Sequence, residues 1–204
     1  MFVAEQILTV EKNNLHAFSE GLSSDDVAIL VDWLNEKDDK IRYQSLLILQ
    51  DRLTFSDDAF AYWDIFRDKL KSDNSYQRSI GLMMISGNTR WDKSGKFEEL
   101  FDEFCALLHD DKPITVRQCI QSFKNIIPYK QNLCEKIGNA LINIDIMSAK
   151  ESMRKLMLID VINILLLIRK TQNTEKIENY ISKALTGGIL DNKSKKAIQA
   201  GLLG

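Results

Sequence analysis

The sequence predicts an all-α protein, an α-α superhelix built from a row of helical hairpins. Along most of the 204 residues, apolar side chains recur at spacings of three and four, which gathers them on one face of a helix. The alternating pattern and the Asn-Gly turns that indicate strands are missing. Only two prolines and nine glycines interrupt the chain. An arginine also returns at nearly even intervals, which predicts a repeated structure.

The repeating arginine sets the organisation of the chain. Each copy begins a helix after a short polar turn, and successive copies are 36, 39 and 37 residues apart, at Arg42, Arg78, Arg117 and Arg154. A fixed period of this length is typical of solenoids, in which each helical hairpin stacks on the next. We therefore predict one domain over 1–204, with a cap in 1–22, four repeats in 23–170 and a C-terminal cap pair in 171–204.

Capping residues and prolines predict where the helices begin and end. Ser23 to Asp26 and Thr54 to Asp57 both fit a capping box, in which a hydroxyl and an acid satisfy free N–H groups. Pro113 fits a first turn, and Pro128 ends a helix. The predicted first helices lie near 25–36, 57–71, 95–108 and 130–144. The predicted second helices lie near 39–53, 75–87, 113–127 and 149–169. We expect one amphipathic helix over 2–18 and a weaker pair near 177–185 and 194–203.

The turns before the arginines resemble those of HEAT repeats. The best match is Leu107-Leu108-His-Asp-Asp-Lys-Pro-Ile-Thr-Val-Arg117, and Asp38-Asp-Lys-Ile-Arg42 is a good one. The resemblance implies that turn acids (Asp38 or Asp39, Asp73, Asp110) pair with the arginines of neighbouring repeats. The period is shorter than the ~40–47 residues usual for these repeats. In the third repeat Gln121 and Lys124 occupy usual core positions, so its core is expected from Ile120, Phe123 and Ile127.

Composition and motifs favour a non-enzymatic protein. The net charge of -2 argues against general affinity for nucleic acid. Three cysteines without a CxxC pair are expected to be free thiols, which favours a cytoplasmic location. We expect no signal peptide and no membrane span. The two histidines lie far apart, and no phosphate-binding or nucleophile motif occurs. The sequence therefore predicts no catalytic residue, no cofactor site and no metal site.

The helix near 149–169 carries a second apolar face. On a helical wheel, Leu156, Ile159 and Leu166 lie with Asn163 opposite the core face. Either the C-terminal pair covers this face, or it is a groove for a partner helix or the seam of a homodimer. Trp91 either anchors a partner or packs under a turn. The candidate partner-binding residues are Leu47, Met83, Arg90, Trp91, Leu156, Ile159, Asn163 and Leu166.

We therefore expect a protein-interaction scaffold that binds a partner protein or peptide on its inner, second-helix surface. The alternative is a DNA-binding protein resembling the HEAT-fold alkylation-repair enzymes, which need a basic concave face with an aromatic residue. Fragments of such a face are present in Arg52, Arg90, Trp91 and Lys124. The net negative charge makes nucleic acid the less favoured partner. A tetrapyrrole lyase is suggested by fold analogy alone.

Overall fold

The computed structural model describes residues 2–203, and these form twelve α-helices, five short 3-10 helices and no strand. The predicted all-α class is therefore confirmed. The chain divides into two compact units, Met1–Glu99 and Leu100–Gly204. The single continuous domain remains a prediction. Within residues 2–203, no helix combines the length and the apolar character that crossing a membrane requires.

The first unit contains two of the predicted helical pairs. Helix α3 packs on α4 and α5 packs on α6, and α4 also contacts α6, so the second helices of the two pairs are neighbours. Its helices are α1 (Ala4–Leu8), α2 (Leu15–Glu20), α3 (Ser24–Trp33), α4 (Asp39–Arg52), α5 (Trp63–Lys69) and α6 (Ser75–Asn88). Short 3-10 helices at Lys12–Asn14 and Asp58–Tyr62 precede α2 and α5.

The second unit is organised around one long helix. Helix α10 contacts α8, α9, α11 and α12. The helices here are α7 (Lys96–Ala106, which begins in the first unit), α8 (Pro113–Ile126), α9 (Cys134–Ile142), α10 (Glu151–Arg169), α11 (Glu175–Thr186) and α12 (Asn192–Leu203). The 3-10 helices of this unit are Leu107–His109, Gln131–Leu133 and Ile146–Ser148. Each lies beside a turn that joins two helices.

The core of the third pair is the one expected. Ile120, Phe123 and Ile127 are buried, whereas Gln121 and Lys124 are exposed. The ring of Phe123 lies 5.7 Å from that of Phe104 on α7, in an edge-to-face arrangement. Such aromatic pairs add about 1 kcal/mol beyond the apolar area they bury. The shift of the apolar stripe by one residue was therefore predicted correctly.

One of the two predicted capping boxes is confirmed and the other is wrong. The Ser23 hydroxyl accepts a hydrogen bond from the Asp26 N–H at 3.2 Å, and the Asp26 carboxylate accepts from the Ser23 N–H at 2.9 Å. The Thr54 hydroxyl instead donates to the carbonyl of Asp51, at the end of α4. The next helix begins with a 3-10 turn at Asp58. Thr54 therefore belongs to the end of one helix, not to the start of the next.

The N-terminal helix predicted over 2–18 is also wrong as a single element. The chain forms α1, a 3-10 turn and α2 instead. The break falls at Thr9 to Asn14, where β-branched residues and two asparagines stand together. Both residue types are poor helix formers, the asparagines because their side chains compete for backbone hydrogen bonds. The prediction that Pro128 ends a helix is confirmed, since α8 stops at Ile126.

The repeating arginines bind the turns that precede them. The guanidinium of Arg42 donates to the Glu36 carbonyl at 2.7 Å, and that of Arg154 donates to the Ala149 carbonyl at 2.9 Å. Arg78 donates in the same way to two turn carbonyls, those of Ser72 and Asp73. Arg42 also pairs with Asp39 of its own turn, so at this position the ion pair expected with a neighbouring repeat is replaced by one within the pair.

Arg117 is the exception among the four arginines. Its Nε donates at 2.6 Å to the carboxylate of Asp160, which lies on α10. The bond therefore joins the second helix of one pair to the second helix of the next pair. Both side chains are largely buried, at 22% and 11% exposed. Partly buried charge pairs of this kind fix the register of neighbouring helices more than they add stability.

Candidate interaction surface

Four of the predicted partner-binding residues share one stripe of α10. Leu156, Ile159, Asn163 and Leu166 are spaced by three, four and three residues, so they lie above one another on the helix. Leu156 is 40% exposed. Asn163 is also exposed, and Ile159 and Leu166 are half-buried. We call this stripe the α10 row. It lies opposite the buried side of the helix, which carries Met157, Val161, Ile164, Leu165 and Ile168.

Helix α8 borders the α10 row on one side. The carboxylate of Asp160, next to Ile159, accepts from Arg117 and also from the Gln121 amide at 3.0 Å. These bonds hold the exposed edge of α8 beside α10. Lys124 follows Gln121 by one helical turn and is exposed. The α8 side of the row is therefore polar and cationic.

Helix α12 borders the α10 row on the other side and covers one end of it. Lys155 pairs with Asp191 in front of α12, and the Arg169 guanidinium donates to the Leu202 carbonyl at 3.3 Å. A Cβ atom added at Gly201 would lie 3.1 Å from Cδ1 of Leu166. The C-terminal pair therefore covers the Leu166 end of the row, while Leu156 stays open to solvent.

The charge of the chain is divided unevenly between the two units. Residues 1–99 contain 12 Lys and Arg against 18 Asp and Glu, a net charge of -6. Residues 100–204 contain 15 Lys and Arg against 11 Asp and Glu, a net charge of +4. The α10 row therefore belongs to the basic unit. Lys170 extends the row by one further position, seven residues after Asn163, and is exposed.

In the first unit, the N-terminal segment covers one edge of the second-helix surface. The Gln44 amide donates to the Val10 carbonyl at 3.1 Å, and Asp51 contacts His16 at 3.0 Å and also accepts from Ser19. Helices α1 and α2 are thereby held against α4. Leu47 on α4 and Met83 on α6 are both half-buried. The open side chains on the second helices of this unit are instead two tyrosines, Tyr43 at 61% and Tyr76 at 69% exposed, whereas α10 exposes an aliphatic one, Leu156.

Arg90 and Trp91 are engaged inside the first unit. The indole N–H of Trp91 donates to the Leu53 carbonyl at 2.9 Å, and the Arg90 guanidinium lies 5.2 Å from the Trp91 ring centre. Arg90 also donates to the Thr54 carbonyl. Both side chains thus pack over the C-terminal end of α4. Of the two interpretations of Trp91, this geometry fits packing against a turn.

Arg52, which with Arg90 was expected to contribute to a basic DNA-binding face, is engaged as well. The Arg52 guanidinium donates to the Asp58 carboxylate at 2.7 Å and to the Ser19 carbonyl at 2.5 Å. Its side chain is 12% exposed. A guanidinium that already pairs with a carboxylate of its own protein is poorly placed to bind a phosphate. Arg52 therefore joins the N-terminal segment to the α4–α5 turn.

A further site, at Lys69 in the last turn of α5, was missed by the sequence analysis. Its side chain is buried, with 7% of the residue exposed. The ammonium nitrogen Nζ lies 2.6 Å from Oδ1 of Asn35 and 2.6 Å from Oε1 of Gln77. The Gln77 amide in turn donates to the Leu34 carbonyl at 2.8 Å. One feature of the sequence could have indicated this burial. Lys69 follows the buried Phe66 by three residues and therefore lies on the core-facing side of α5.

Burial lowers the pKa of Lys69 to about 8, while the nearby charge of Asp32 acts in the opposite direction. Desolvation disfavours the charged form of an amine, which is the cause of the shift. Lys69 also forms part of the wall of a cavity of about 320 Å³, together with Asn35, Ile65, Asp68, Ser72 and Gln77. A perturbed amine in a cleft is a candidate functional group.

The three cysteine thiols, unlike the Lys69 amine, are shifted away from their reactive form. Burial raises the pKa of Cys105 to about 12 and raises that of Cys119 and Cys134 as well. A thiol must lose its proton to act as a nucleophile or a metal ligand, so these three are poorly reactive. Across residues 2–203, no three His, Cys, Asp or Glu side chains are gathered as a metal ion would require.

Two other cavities lie within the second unit. One of about 560 Å³ lies between the α7–α8 and α9–α10 turns, above the buried side chains of Leu108, Val116 and Met157. One of about 310 Å³ lies where α9 meets the α10–α11 turn, with Cys134 and Gly138 in its wall.

Comparison with protein-family models, with curated proteins and with solved structures found no match for this chain.

Proposed function

We propose that this chain is a HEAT-like repeat protein that acts as a non-enzymatic scaffold and binds an acidic, amphipathic helical segment of a partner protein along the α10 row. The observation that carries the proposal is the open apolar end of that row at Leu156, 40% exposed. The arginine period, the pairing of α3 with α4 and of α5 with α6, and the arginine-bound turns support the repeat architecture.

The shape of the row favours a helical partner segment. Two aliphatic side chains, Leu156 and Ile159, lie one turn apart and are followed by the exposed amide of Asn163. Helix α8 stands on one side and α12 on the other, so the row lies between two helices. A helix that presents aliphatic residues at spacings of three and four can place them along such a groove. The Asn163 amide would fix its position by hydrogen bonding.

The charge around the row favours an acidic partner segment. Lys124 lies on its α8 side and Lys170 at the end that α12 covers, and the unit carries a net charge of +4. Asp160, the acid next to the row, is already bonded to Arg117. Complementary charges at the rim of an interface raise the association rate and select the partner more than they add affinity.

DNA binding finds less support. Arg52 and Arg90, two of the side chains that a basic face would use, donate hydrogen bonds within the first unit. The aromatic residue beside them, Trp91, donates its indole N–H to a backbone carbonyl. A base-reading aromatic must be free to stack on a nucleotide. Nucleic acid is therefore the less favoured partner of this chain.

The test is site-specific photo-crosslinking at the exposed end of the row. A benzophenone amino acid replaces Leu156 in one variant and Leu8 in a control, because Leu8 is 45% exposed on α1 and lies outside the row. Each variant is irradiated in native lysate after nuclease treatment, and crosslinked peptides are sequenced by mass spectrometry. Leu156→Asp and Leu8→Asp variants are used in parallel for affinity capture.

The proposal expects an acidic amphipathic segment crosslinked at position 156 and not at position 8. Capture of the same protein should be lost with Leu156→Asp and kept with Leu8→Asp, while both variants retain the helical circular dichroism of the parent. A crosslink to a second copy of this chain would identify a homodimer seam instead. Retention of nucleic acid alone, or partners that are indifferent to Leu156→Asp, would overturn the proposal.

A further inference from the structure

A cavity of about 310 Å³ lies where α9 meets the α10–α11 turn, and we call it the α9 cavity. Its floor is apolar and buried, and it is formed by Cys134, Gly138, Ile168 and Ile177. The side chains of its rim are polar and mostly exposed. An apolar floor beneath a polar rim is the usual form of a small-molecule site, for which volumes of about 300–1,000 Å³ are typical.

A glycine in the middle of α9 gives the cavity its depth. Three lining residues of this helix are spaced by four and so lie above one another, namely Cys134, Gly138 and Ile142. The glycine leaves the row without a side chain at its centre. A Cβ atom at this position would lie 3.8 Å from Cδ1 of Ile168 on α10 and 3.9 Å from Cδ1 of Ile177 on α11. Gly138 therefore contributes open space between three helices.

Neither the backbone nor the packing of α9 requires a glycine at position 138. Among the described residues, Gly95 is the one glycine with a positive φ. A Cβ atom at Gly138 would make ordinary van der Waals contacts, whereas at Gly81 it would lie 2.9 Å from a carbonyl oxygen. Glycine is also a poorer helix former than every residue except proline, so it weakens α9. A locally unfavourable residue without a structural role is expected at a functional site.

The charges at the rim favour an uncharged ligand. Glu135 and Glu175 contribute two carboxylates, and Lys176 contributes one ammonium group. Nζ of Lys176 donates to Oδ1 of Asn139 at 3.4 Å, so this charge is directed at an amide of the wall. Charges of both signs match neither a cation nor an anion, and the excess of carboxylate repels an anion. The exposed amide of Gln172 can hydrogen-bond to a neutral polar group.

We propose that the α9 cavity binds a small uncharged aliphatic molecule, of the class of short-chain primary alcohols. Its chain lies against Gly138, Ile168 and Ile177, and its hydroxyl group lies at the rim beside Gln172. An apolar protein cavity of roughly 150 Å³ binds benzene, so the larger volume of about 310 Å³ accommodates a chain of several carbon atoms with its hydroxyl group. Removal of the chain from water drives binding, and the hydroxyl group orients the ligand.

The test uses the full chain with isotope-labelled isoleucine Cδ1 methyl groups, and n-hexanol is the probe. Methyl NMR spectra are recorded during the titration, and the methyl group of Ile85, buried in the first unit, is the internal reference. Gly138→Val places a branched side chain in the cavity. Gly188→Val is the matched control, because a Cβ atom at Gly188 would have no neighbour within 4 Å. Hexanoate, which has the same chain length and a carboxylate, tests the effect of the rim charges.

The methyl signals of Ile168 and Ile177 should shift saturably with n-hexanol and give the same Kd, while that of Ile85 stays unchanged. Gly138→Val should raise this Kd at least about tenfold and Gly188→Val should leave it unchanged, because only the first side chain occupies the binding volume. Hexanoate should bind about threefold more weakly than n-hexanol, because the carboxylates of the rim repel it.

If circular dichroism shows that Gly138→Val is unfolded, Gly138→Ala takes its place, since alanine favours the helix and its methyl group still enters the cavity. A Kd unchanged by the folded variant would overturn the proposal. Shifts that do not saturate and spread over both units, or tighter binding of hexanoate, would also overturn it. Because Ile168 lies on the buried side of α10, opposite the α10 row, the result is independent of the partner-binding experiment.

Discussion

At the scale of single residues, Lys69 couples the stability of the first unit to pH. Its folded-state pKa of about 8 is below the ordinary value of 10.5. Between these two values the unfolded chain still binds a proton that the folded chain has released. The free energy of unfolding therefore increases as the pH rises through this window.

We expect Lys69→Met to remove this dependence. Between pH 7.5 and pH 10, the parent should gain about 2 kcal/mol of unfolding free energy relative to the variant, because one unit of pKa shift corresponds to about 1.4 kcal/mol. Urea titrations of both proteins at the two pH values measure the difference, and the comparison cancels the groups that titrate in both chains. Parallel changes in parent and variant would show that burial of Lys69 does not perturb its protonation.

At the scale of helices, a glycine decides how closely α5 and α6 pack. A Cβ atom at Gly81 would lie 2.9 Å from the Phe66 carbonyl oxygen and 3.0 Å from a methyl group of Leu70. The backbone of α5 would have to move to admit it. Gly138, inside α9, differs, because its nearest neighbours would be 3.8 Å away.

Alanine should therefore have opposite effects at the two glycines. Gly81→Ala should lower the free energy of unfolding by about 1–3 kcal/mol through overpacking. Gly138→Ala should raise it by about 0.5–1 kcal/mol, since alanine favours the helix and meets no obstacle. Denaturant titrations of both variants measure the changes. Equal effects of the same sign would mean that the α5–α6 approach is looser than described.

Helix positions could be predicted from the sequence where a local signal marked them. Ser23 and Pro113 mark helix starts that the structure has, and Pro128 marks an end. The capping box predicted at Thr54 was wrong because a threonine hydroxyl can also donate to one of the last carbonyls of the preceding helix. The break after Leu8 was not predicted because the spacing of apolar residues takes no account of the low helix propensity of the residues that follow.

The two candidate sites differ in how far the sequence could predict them. The α10 row follows from helical spacing alone, so its members could be named in advance. Its cover by α12 depends on how Gly201 approaches Leu166, which is a tertiary contact. The Lys69 site depends on acceptors 34 residues before it and 8 residues after it in the chain. No local pattern relates these three positions.

At the scale of the whole molecule, the division of charge bears on how a partner is recognised. The unit that contains the α10 row has a net charge of +4, although the chain as a whole has -2. Charge on an exposed rim acts over roughly 10 Å at 0.1 M salt. An acidic segment therefore responds to the local excess of lysine and not to the total charge of the chain.

We expect the affinity for the partner segment to fall with salt and with loss of the rim lysines. The double variant Lys124→Gln and Lys170→Gln should raise Kd by about fivefold, since each exposed charge contributes about 0.5 kcal/mol. Lys12→Gln with Lys40→Gln, two exposed lysines of the acidic unit, is the matched control. Fluorescence anisotropy of the crosslinked segment, made as a labelled peptide, measures both at two salt concentrations. Equal losses in the two double variants would show that position on the rim does not matter.

The arginine-bound turns also bear on how such a chain can lengthen. Arg42, Arg78 and Arg154 each donate to carbonyls of the turn just before them, so the bonds that close the turn come from within one pair of helices. A gene segment that encodes such a pair carries its own turn closure when it is copied. Arg117, whose partner Asp160 lies in the following pair, ties two neighbours together and cannot be copied alone without losing its bond. Turn closure is thus contained within three of the four hairpins, whereas the arginine of the third binds the hairpin that follows it.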